Sequence, residues 1–279
     1  MGLFSKLTAK ISNHSHEKRA RIASEKSRQH SKRMEYLLND KTPFNITEAF
    51  RNLKAALSVS VPKKDGGVVL AFTSAYPEEG KTTVSVNIAM MFALSDAKVI
   101  ILDADIRKGR VAKYFKRKSA PGLADYLSGQ NTLDEVVHQS HTNENLSYIT
   151  CGTHSPKPYE LLESEQMKNL LQDLRAKYDY IIVDTPPILL LSDALAITPV
   201  SDGTVLVCRH QSSYISDIER ALNNLTFAKA NVLGVVVNDY KAPQHHRSYG
   251  TYYKRYYRYS NYGYGFTNPD VKDEEEDKK

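Results

Sequence analysis

The polar stretch SAYPEEG ends in a glycine, and the lysine and threonine that follow it begin an apolar, helix-like stretch. The triplet Gly80, Lys81 and Thr82 matches the end of a phosphate-binding loop, in which backbone N–H groups at a helix N-terminus surround phosphates. In such a loop the lysine neutralises the β- and γ-phosphates of a nucleotide and the hydroxyl binds Mg²⁺. The strict pattern has a glycine where this chain has Ala75, which requires a loop that avoids positive φ there. Because the triplet lies between a strand-like and a helix-like stretch, it predicts nucleotide binding.

Three aspartates follow apolar stretches elsewhere in the chain. Asp103 and Asp105 end the stretch VIILDAD, and Asp184 ends YIIVD. Carboxylates at the carboxyl ends of parallel strands face the ligand crevice of an open sheet. Aspartates in such positions also cap the helices that follow them, which is the alternative interpretation. Three of them together with a phosphate-binding loop indicate a metal and phosphoryl-transfer site.

Strands and helices alternate along the part of the chain that must position these residues. Near-continuous Val/Ile/Leu runs predict strands, and the stretches between them have a helical apolar period. The strand-like runs are VVLAFTSA, KVIILDAD, LSYITCG, YDYIIVDTPP, DGTVLVCRH and NVLGVVVND, and the helix-like stretches include TEAFRNLKAALSVS from Thr47, YELLESEQMKNLLQDLRAK and SYISDIERALNNLTFAKA. Strands that are apolar on both faces and alternate with helices predict a parallel sheet covered on both sides. The expected fold class is therefore α/β, P-loop NTPase-like, with helices on both faces of the sheet.

Charge is spread unevenly along the 279 residues, whose formal net charge is +6. Residues 1–40 hold nine Lys/Arg against four Asp/Glu, whereas six of the last ten residues are acidic. Solvated ends of this kind flank a folded middle. We expect a basic flexible N-terminal segment at residues 1–44, a P-loop domain at 45–240, and a tyrosine-rich and acidic tail at 241–279.

The cysteines and the length of the apolar runs indicate the cellular location of the protein. Cys151 and Cys208 give neither a metal spacing nor a disulfide framework, and the start MGLFSKLTAK lacks the apolar run of a signal peptide. We therefore expect a cytoplasmic location. The apolar runs are far shorter than the roughly 18 residues of a membrane-spanning helix, so a membrane role would be peripheral or through a partner. Tails of opposite charge can give a positive net charge without any nucleic-acid partner. We therefore expect no nucleic-acid partner.

A tyrosine cluster lies near the C-terminus in the stretch SYGTYYKRYYRYSNYGYG, residues 248–265, which holds eight of the 18 tyrosines and no acid. A flexible, glycine-spaced segment offers many equivalent phenols at high effective concentration to a nearby active site. Tyrosines interleaved with Arg and Lys also stack on nucleic acid or sugar, which is the alternative. The phosphoryl-transfer motifs upstream favour acceptors of phosphate. The candidate acceptors are Tyr249, Tyr252, Tyr253, Tyr256, Tyr257, Tyr259, Tyr262 and Tyr264.

Taken together, SAYPEEGKTT, VIILDADIRKG and IIVDTPP resemble the Walker A, A′ and B motifs of the bacterial tyrosine kinases that control capsular and exopolysaccharide synthesis. EAFRNLK is similar to the family's E-x-x-R-x-x-R helix, and PKPYELLES is similar to its P-x-P-x-E-L-L segment. PGLADYLSG and the tyrosine cluster extend the resemblance over roughly residues 45–265. The chain departs from the pattern at Lys54, where the family usually has arginine, and at Gly109, where many members have proline. A lysine cannot reproduce a bidentate guanidinium contact.

The resemblance implies an ATP- and Mg²⁺-dependent protein-tyrosine kinase that autophosphorylates between chains. Lys81 would contact the β- and γ-phosphates, and Thr82 with Asp184 would hold Mg²⁺, assisted by Asp105 through water. Asp103 would accept or orient the proton of the attacking phenol, because a phenol with a pKa near 10 is a poor nucleophile at neutral pH. The predicted catalytic residues are Lys81, Asp103 and Asp105, and the predicted nucleotide-binding residues are Ala75, Tyr76, Pro77, Glu78, Glu79, Gly80, Lys81, Thr82, Thr83, Arg209 and Asn238.

The same resemblance implies partners. Glu48, Arg51 and Lys54 would build a ring-like homo-oligomer. A separate transmembrane activator, which is also a chain-length regulator, would hold the kinase at the inner face of the membrane, and a cognate tyrosine phosphatase would reverse its reaction. A partition or septum-site ATPase is the nearest alternative, although such proteins usually have a second lysine early in the loop and SAYPEE has none. An ATP-gated, non-catalytic scaffold of polysaccharide machinery is the other.

Overall fold

The computed structural model describes residues 37–39, 41–61 and 66–240. Most of the predicted N-terminal segment and the whole of residues 241–279, with all eight candidate acceptor tyrosines, lie outside the described residues. Predictions that concern those parts of the chain therefore stay predictions. The division into three parts is likewise retained as a proposal.

Seven strands of the described residues form one sheet, in the order β3-β4-β2-β5-β1-β6-β7. All neighbouring pairs are parallel except β3 and β4, which are antiparallel at one edge. The strands are β1 Val68–Ser74, β2 Val99–Asp103, β3 His138–Gln139, β4 Leu146–Ile149, β5 Tyr180–Asp184, β6 Gly203–Arg209 and β7 Val232–Asn238. The prediction of an α/β parallel sheet is confirmed for all six of the strands that the sequence indicated. The antiparallel strand β3 was missed because two residues are too short to display a period.

Helices connect the strands and cover both faces of the sheet. They are α1 Phe44–Ser60, α2 Lys81–Ala93, α3 Val111–Tyr114, α4 Leu123–Leu127, α5 Leu133–Val136, α6 Pro158–Glu163, α7 Glu165–Arg175, α8 Asp193–Ile197 and α9 Ile215–Phe227, with a 3₁₀ turn at Thr198–Val200. Helix α1 begins at Phe44 instead of Thr47, after Pro43 and without a side-chain cap. The long helix predicted after Pro158 is divided in two at Ser164, whose hydroxyl accepts a hydrogen bond from the Met167 N–H and so caps α7.

Alternate residues of the central strands enter two separate cores. In β1, Leu70 and Phe72 pack on one side of the sheet with α1 and α2, while Val69 and Ala71 pack on the other with α4 and α7. Every residue of β1, β2 and β5 is buried. Parallel pairing in register then places Asp103 of β2 opposite Asp184 of β5, at the carboxyl edge of the sheet. The pairing register of these two buried strands therefore places the two carboxylates beside each other.

Candidate active site

The loop between β1 and α2 has the backbone of an anion-binding turn. Glu78 and Gly80 have positive φ values of 68° and 94°, whereas Ala75 does not, as the sequence required. A Cβ added to Gly80 would lie 1.8 Å from Nδ2 of Asn238. Glycine is therefore favoured at position 80 by the left-handed conformation, and a Cβ there would also displace the side-chain amide of Asn238.

The side chains of Lys81 and Thr82 meet two carboxylates at the N-terminus of α2. Lys81 Nζ lies 3.2 Å from Asp184 Oδ2 and 3.2 Å from Asp105 Oδ2. The Thr82 hydroxyl donates a 2.6 Å hydrogen bond to Asp184 Oδ2. All four side chains are largely shielded from solvent. The predicted phosphate-binding lysine, the hydroxyl and two of the predicted carboxylates thus form one cluster.

Asp103 completes the cluster as a fully buried carboxyl group beside Asp184. Its Oδ2 accepts a 2.9 Å hydrogen bond from the Val111 N–H. Its Oδ1 is buried and has no hydrogen-bond partner among the described residues. Burial, and then the negative charge of Asp184, raise the pKa of Asp103 well above its ordinary value. A carboxyl group with a raised pKa accepts a proton more readily, which is the property that a general base requires.

The cluster carries more negative than positive charge. Burial lowers the pKa of Lys81, but the nearby Asp184, Asp105 and Asp103 outweigh burial and raise it. For Asp184, burial raises the pKa, although the positive charge of Lys81 and the hydrogen bond from Thr82 lower it in part. Three carboxylates therefore face one ammonium group, and this excess favours a further cation.

The donor set fits Mg²⁺ shared with a nucleotide. Asp184 Oδ1, like Asp103 Oδ1, is buried without a hydrogen-bond partner among the described residues. Within those residues no group of three or more His, Cys, Asp or Glu side chains could enclose a metal ion. Mg²⁺ usually binds through one or two carboxylates together with substrate phosphates. The hard oxygens of Thr82 and Asp184 are ligands of the kind that Mg²⁺ prefers.

Arg209 and Asn238, at the ends of β6 and β7, contact the backbone of the phosphate-binding loop. Arg209 donates a 3.2 Å hydrogen bond to the Glu78 carbonyl and a 2.9 Å bond to the carboxylate of Asp239. Asn238 Nδ2 donates a 3.1 Å bond to the Glu79 carbonyl. The structure thus brings both residues to the loop, where they bond to its backbone carbonyls, and their predicted role in nucleotide binding stays a prediction.

The side chain of Glu79 faces the protein interior, although the residue belongs to the predicted binding loop. It accepts a 2.9 Å hydrogen bond from the Tyr76 N–H and another from the Ser213 hydroxyl. Ser213 in turn accepts a 2.8 Å bond from the Arg209 N–H. Burial raises the pKa of Glu79 against the opposing effect of these bonds. Glu79 and Ser213 therefore tie the loop to the end of β6, and Ser213 carried no sequence signal that could have identified it.

Comparisons with known proteins agree with this geometry. A family model described as an AAA domain matches residues 69–232. The tyrosine-protein kinase YwqD of Bacillus subtilis is 35% identical over 207 residues, which cover 74% of this chain and 86% of that protein. The chain belongs to the bacterial tyrosine-kinase family. EpsB of Ralstonia solanacearum is also 35% identical, over 234 residues that cover 84% of this chain but 31% of that protein. The chain thus spans about a third of the length of the first curated relatives that it matches.

Solved kinase domains of the family have the same fold. The kinase domain of the Escherichia coli tyrosine kinase ETK superposes with a TM-score of 0.66 at 32% identity, covering 71% of this chain and 78% of that domain. The cell-division ATPase MinD of Pyrococcus furiosus, at 22% identity and a TM-score of 0.54, shares the fold alone. Among the residues that the structure describes, no helix combines the length and apolar character needed to cross a bilayer.

The three residues predicted for the oligomer interface lie on α1, away from the carboxylate cluster. Glu48 and Arg51 form an ion pair along the helix, and Arg51 remains largely exposed. Lys54 Nζ donates a 2.6 Å hydrogen bond to the Ser95 hydroxyl after α2. Lys54, which stands where the family usually has its last arginine, therefore joins α1 to Ser95, just beyond the C-terminal end of α2.

Proposed function

We propose that the chain is an ATP-dependent protein-tyrosine kinase that phosphorylates the tyrosine cluster of another copy and thereby regulates capsular or exopolysaccharide synthesis and export. One observation supports this proposal most directly. A buried carboxyl group with a raised pKa, Asp103, lies beside the cluster of Lys81, Thr82 and Asp184 at the phosphate-binding loop. Phosphoryl transfer needs little more than positioning, charge neutralisation and an acceptor for the proton.

Each side chain of the cluster then has a role. The loop from Ala75 to Thr82 surrounds the phosphates, and Lys81 exchanges its present carboxylate contacts for the β- and γ-phosphates of ATP. Thr82 and Asp184 would hold Mg²⁺, and Asp105 would assist through water. When bound, Mg²⁺ supplies positive charge to the phosphate oxygens and orients them.

Asp103 acts on the acceptor. Its carboxylate takes the phenolic proton as the tyrosine oxygen forms a bond to the γ-phosphorus, and the bond from that phosphorus to the β–γ bridging oxygen breaks. The electron pair of the broken bond leaves with ADP. Because a phenol with a pKa near 10 is almost fully protonated at neutral pH, a nearby base is the minimum requirement for this acceptor.

The tail and the assembly follow from the same proposal. Residues 249–264 offer eight phenols on a segment that follows β7, the last strand of the described residues, in sequence. Chains assemble through α1 by way of Glu48, Arg51 and Lys54, so that the tail of one reaches the site of another. Each phosphate adds about −1.5 to −2 charges, which would repel neighbouring tails and loosen the assembly.

A separate transmembrane activator and a cognate tyrosine phosphatase complete the proposed system and place the kinase at the inner face of the membrane. The chain matches 86% of YwqD but 31% of EpsB, so the family includes both short chains and much longer ones. Arg209 and Asn238 are proposed to border the nucleotide base from the ends of β6 and β7.

Replacement of all eight tail tyrosines by phenylalanine is expected to abolish most phosphotyrosine while ATP binding persists. The aromatic rings remain, so stacking survives, but no hydroxyl is left to accept phosphate. A single replacement should have little effect, since neighbouring tyrosines substitute for one another. The measurement incubates each purified chain with labelled ATP, Mg²⁺ and an activator fragment. Free phosphate without phosphotyrosine in the parent chain would indicate an ATPase of the septum-site type, and neither product would indicate a scaffold.

Gly109→Ala is expected to reduce kcat for phosphotyrosine formation by about tenfold or more, because small misplacements of catalytic groups are costly. A Cβ at position 109 would lie 2.5 Å from Asp103 Oδ2 and 2.5 Å from Cys151 Cβ, so the carboxylate must move. Gly129→Ala is the matched control. A Cβ there meets nothing within 4 Å, although φ is 75°, so stability should fall while kcat is unchanged. An unchanged kcat in Gly109→Ala would show that the position of Asp103 is unimportant.

A further inference from the structure

A run of basic residues follows the second carboxylate motif and has no role in the proposed chemistry. Residues 107–118, RKGRVAKYFKRK, contain seven Lys/Arg, and no acid occurs between Asp105 and Asp125. We call residues 107–118 the basic segment. It begins two residues after Asp105, so it lies directly beside the proposed site of phosphoryl transfer.

The basic segment is held in place by bonds to the site itself. The Val111 N–H donates to Asp103, and the Lys108 N–H donates a 3.0 Å hydrogen bond to Asp105 Oδ1. The Tyr114 hydroxyl lies 2.7 Å from the Thr83 hydroxyl on α2. The ring of Phe115 stacks on the ring of Tyr148 with centroids 3.9 Å apart. The segment is therefore a fixed surface whose backbone contacts two of the catalytic carboxylates.

Its charges point outward and are largely uncompensated. All seven basic residues are exposed, while Val111, Ala112 and Tyr114 are buried beneath them. Arg107 forms an ion pair with the buried Asp193. Within the described part of the chain, Lys108, Arg110, Lys116, Arg117 and Lys118 make no ion pair. A positive surface of this size beside an active site attracts anionic segments of a substrate.

The chain itself contains a segment of matching charge. Residues 270–277, DVKDEEED, carry six acids and one lysine, and they begin six residues after Tyr264. Six extended residues span at most about 20 Å, so an acidic segment docked on residues 107–118 would keep Tyr264, the last acceptor tyrosine, within that distance of the docked segment. We propose that the basic segment is the docking surface for the acidic segment 270–277 of a second copy, and that this contact delivers the tyrosine cluster to Asp103.

This inference rests on the proposed function and specifies how the site recognises its protein substrate. Single exposed ion pairs contribute little, but several acting together on a fixed surface raise the rate and affinity of encounter and are weakened by salt. The contact should therefore govern KM for the acceptor chain and leave both kcat and KM for ATP unchanged. Anionic lipid is the other chemistry that such a surface fits, and the chain's own complementary segment favours the tail.

The test uses two full-length chains. The donor has all eight tail tyrosines replaced by phenylalanine, and the acceptor carries Lys81→Met, so phosphate can pass in only one direction. Lys116→Glu, Arg117→Glu and Lys118→Glu together in the donor are expected to raise KM for the acceptor about tenfold, with kcat unchanged. Asp273→Lys, Glu274→Lys and Glu275→Lys in the acceptor should have the same effect. The reversed donor with the reversed acceptor should recover most of the original KM.

A matched control separates this contact from overall charge. Lys98→Glu, Lys177→Glu and Lys229→Glu reverse three exposed lysines that precede β2, β5 and β7, at the opposite edge of the sheet. These changes should leave KM for the acceptor unaltered. The inference is overturned by an unchanged KM in the reversed donor, by an equal rise in the control, or by lost binding to phosphatidylserine vesicles without a change in KM. If the unreversed pair transfers no phosphate at all, the proposed function itself fails.

Discussion

The Lys81→Met chain is expected to fold and to form phosphotyrosine about 10³-fold more slowly, which is the usual effect of removing a group that neutralises charge in phosphoryl transfer. Lys81 is the cation that the structure places between Asp105 and Asp184, at 3.2 Å from each. Methionine fills a similar volume, so the packing at the start of α2 is retained. The measurement is the initial rate of phosphotyrosine formation at saturating ATP, together with thermal unfolding.

Lys98→Met is the matched control, because it removes an exposed lysine from the opposite edge of the sheet. Its rate should equal that of the parent chain. In Lys81→Met the buried Asp103 and Asp184 lose the positive charge that lowers their pKa values, so these pKa values should rise and the protein should become less stable at higher pH. A parental rate in the Lys81→Met chain would contradict the assignment of this loop to phosphate binding.

Asp103→Asn is expected to slow phosphoryl transfer by about 10² to 10⁴-fold, the range attributable to a general base, while it stabilises the protein without nucleotide. Burial and the charge of Asp184 raise the pKa of Asp103 above its ordinary value of 3.8. The folded protein therefore binds more protons than the unfolded chain in the window above pH 3.8, and stability falls as the pH rises through that window. Asparagine cannot ionise, so it avoids the free-energy cost of a buried negative charge.

The melting temperature of Asp103→Asn should consequently exceed that of the parent, and the difference should grow from about pH 4 until the raised pKa is passed. Each kcal/mol recovered is about 2–4 °C in a domain of this size. Asp173→Asn, which removes an exposed carboxylate on α7, should change neither the rate nor this pH dependence. A parental rate in Asp103→Asn would remove this residue from the mechanism, and a pH-independent difference in melting temperature would contradict the buried charge.

Much of the site could be predicted because it lies at strand ends. Apolar runs identify β1, β2 and β5, and parallel pairing brings their carboxyl ends to one edge, so Lys81, Asp103 and Asp184 converge. The sequence also displays the charges of residues 107–118. It does not reveal that the backbone of that segment bonds to Asp103 and Asp105, since local spacing says nothing about which atoms meet.

Other features depend on contacts between distant residues. Ser213 bonds to Glu79 across 134 positions, and a serine in a loop has no periodicity that would mark it. The inward orientation of Glu79 follows from that contact. The sequence also does not indicate the start of α1 at Phe44 or the division at Ser164. Local hydrogen bonds and the direction from which the chain enters a helix determine where the helix ends, and the period of the apolar residues does not.

The most direct measurement of the central claim is the location of the phosphate after transfer between two chains. The donor with eight Tyr→Phe changes is mixed with the Lys81→Met acceptor, labelled ATP and Mg²⁺, and the label is mapped by mass spectrometry. We predict label on residues 249–264 of the Lys81→Met chain, which can accept phosphate but cannot donate it. Label that remains on the eight-fold variant at the parental level, or that appears only as free phosphate, would contradict the account.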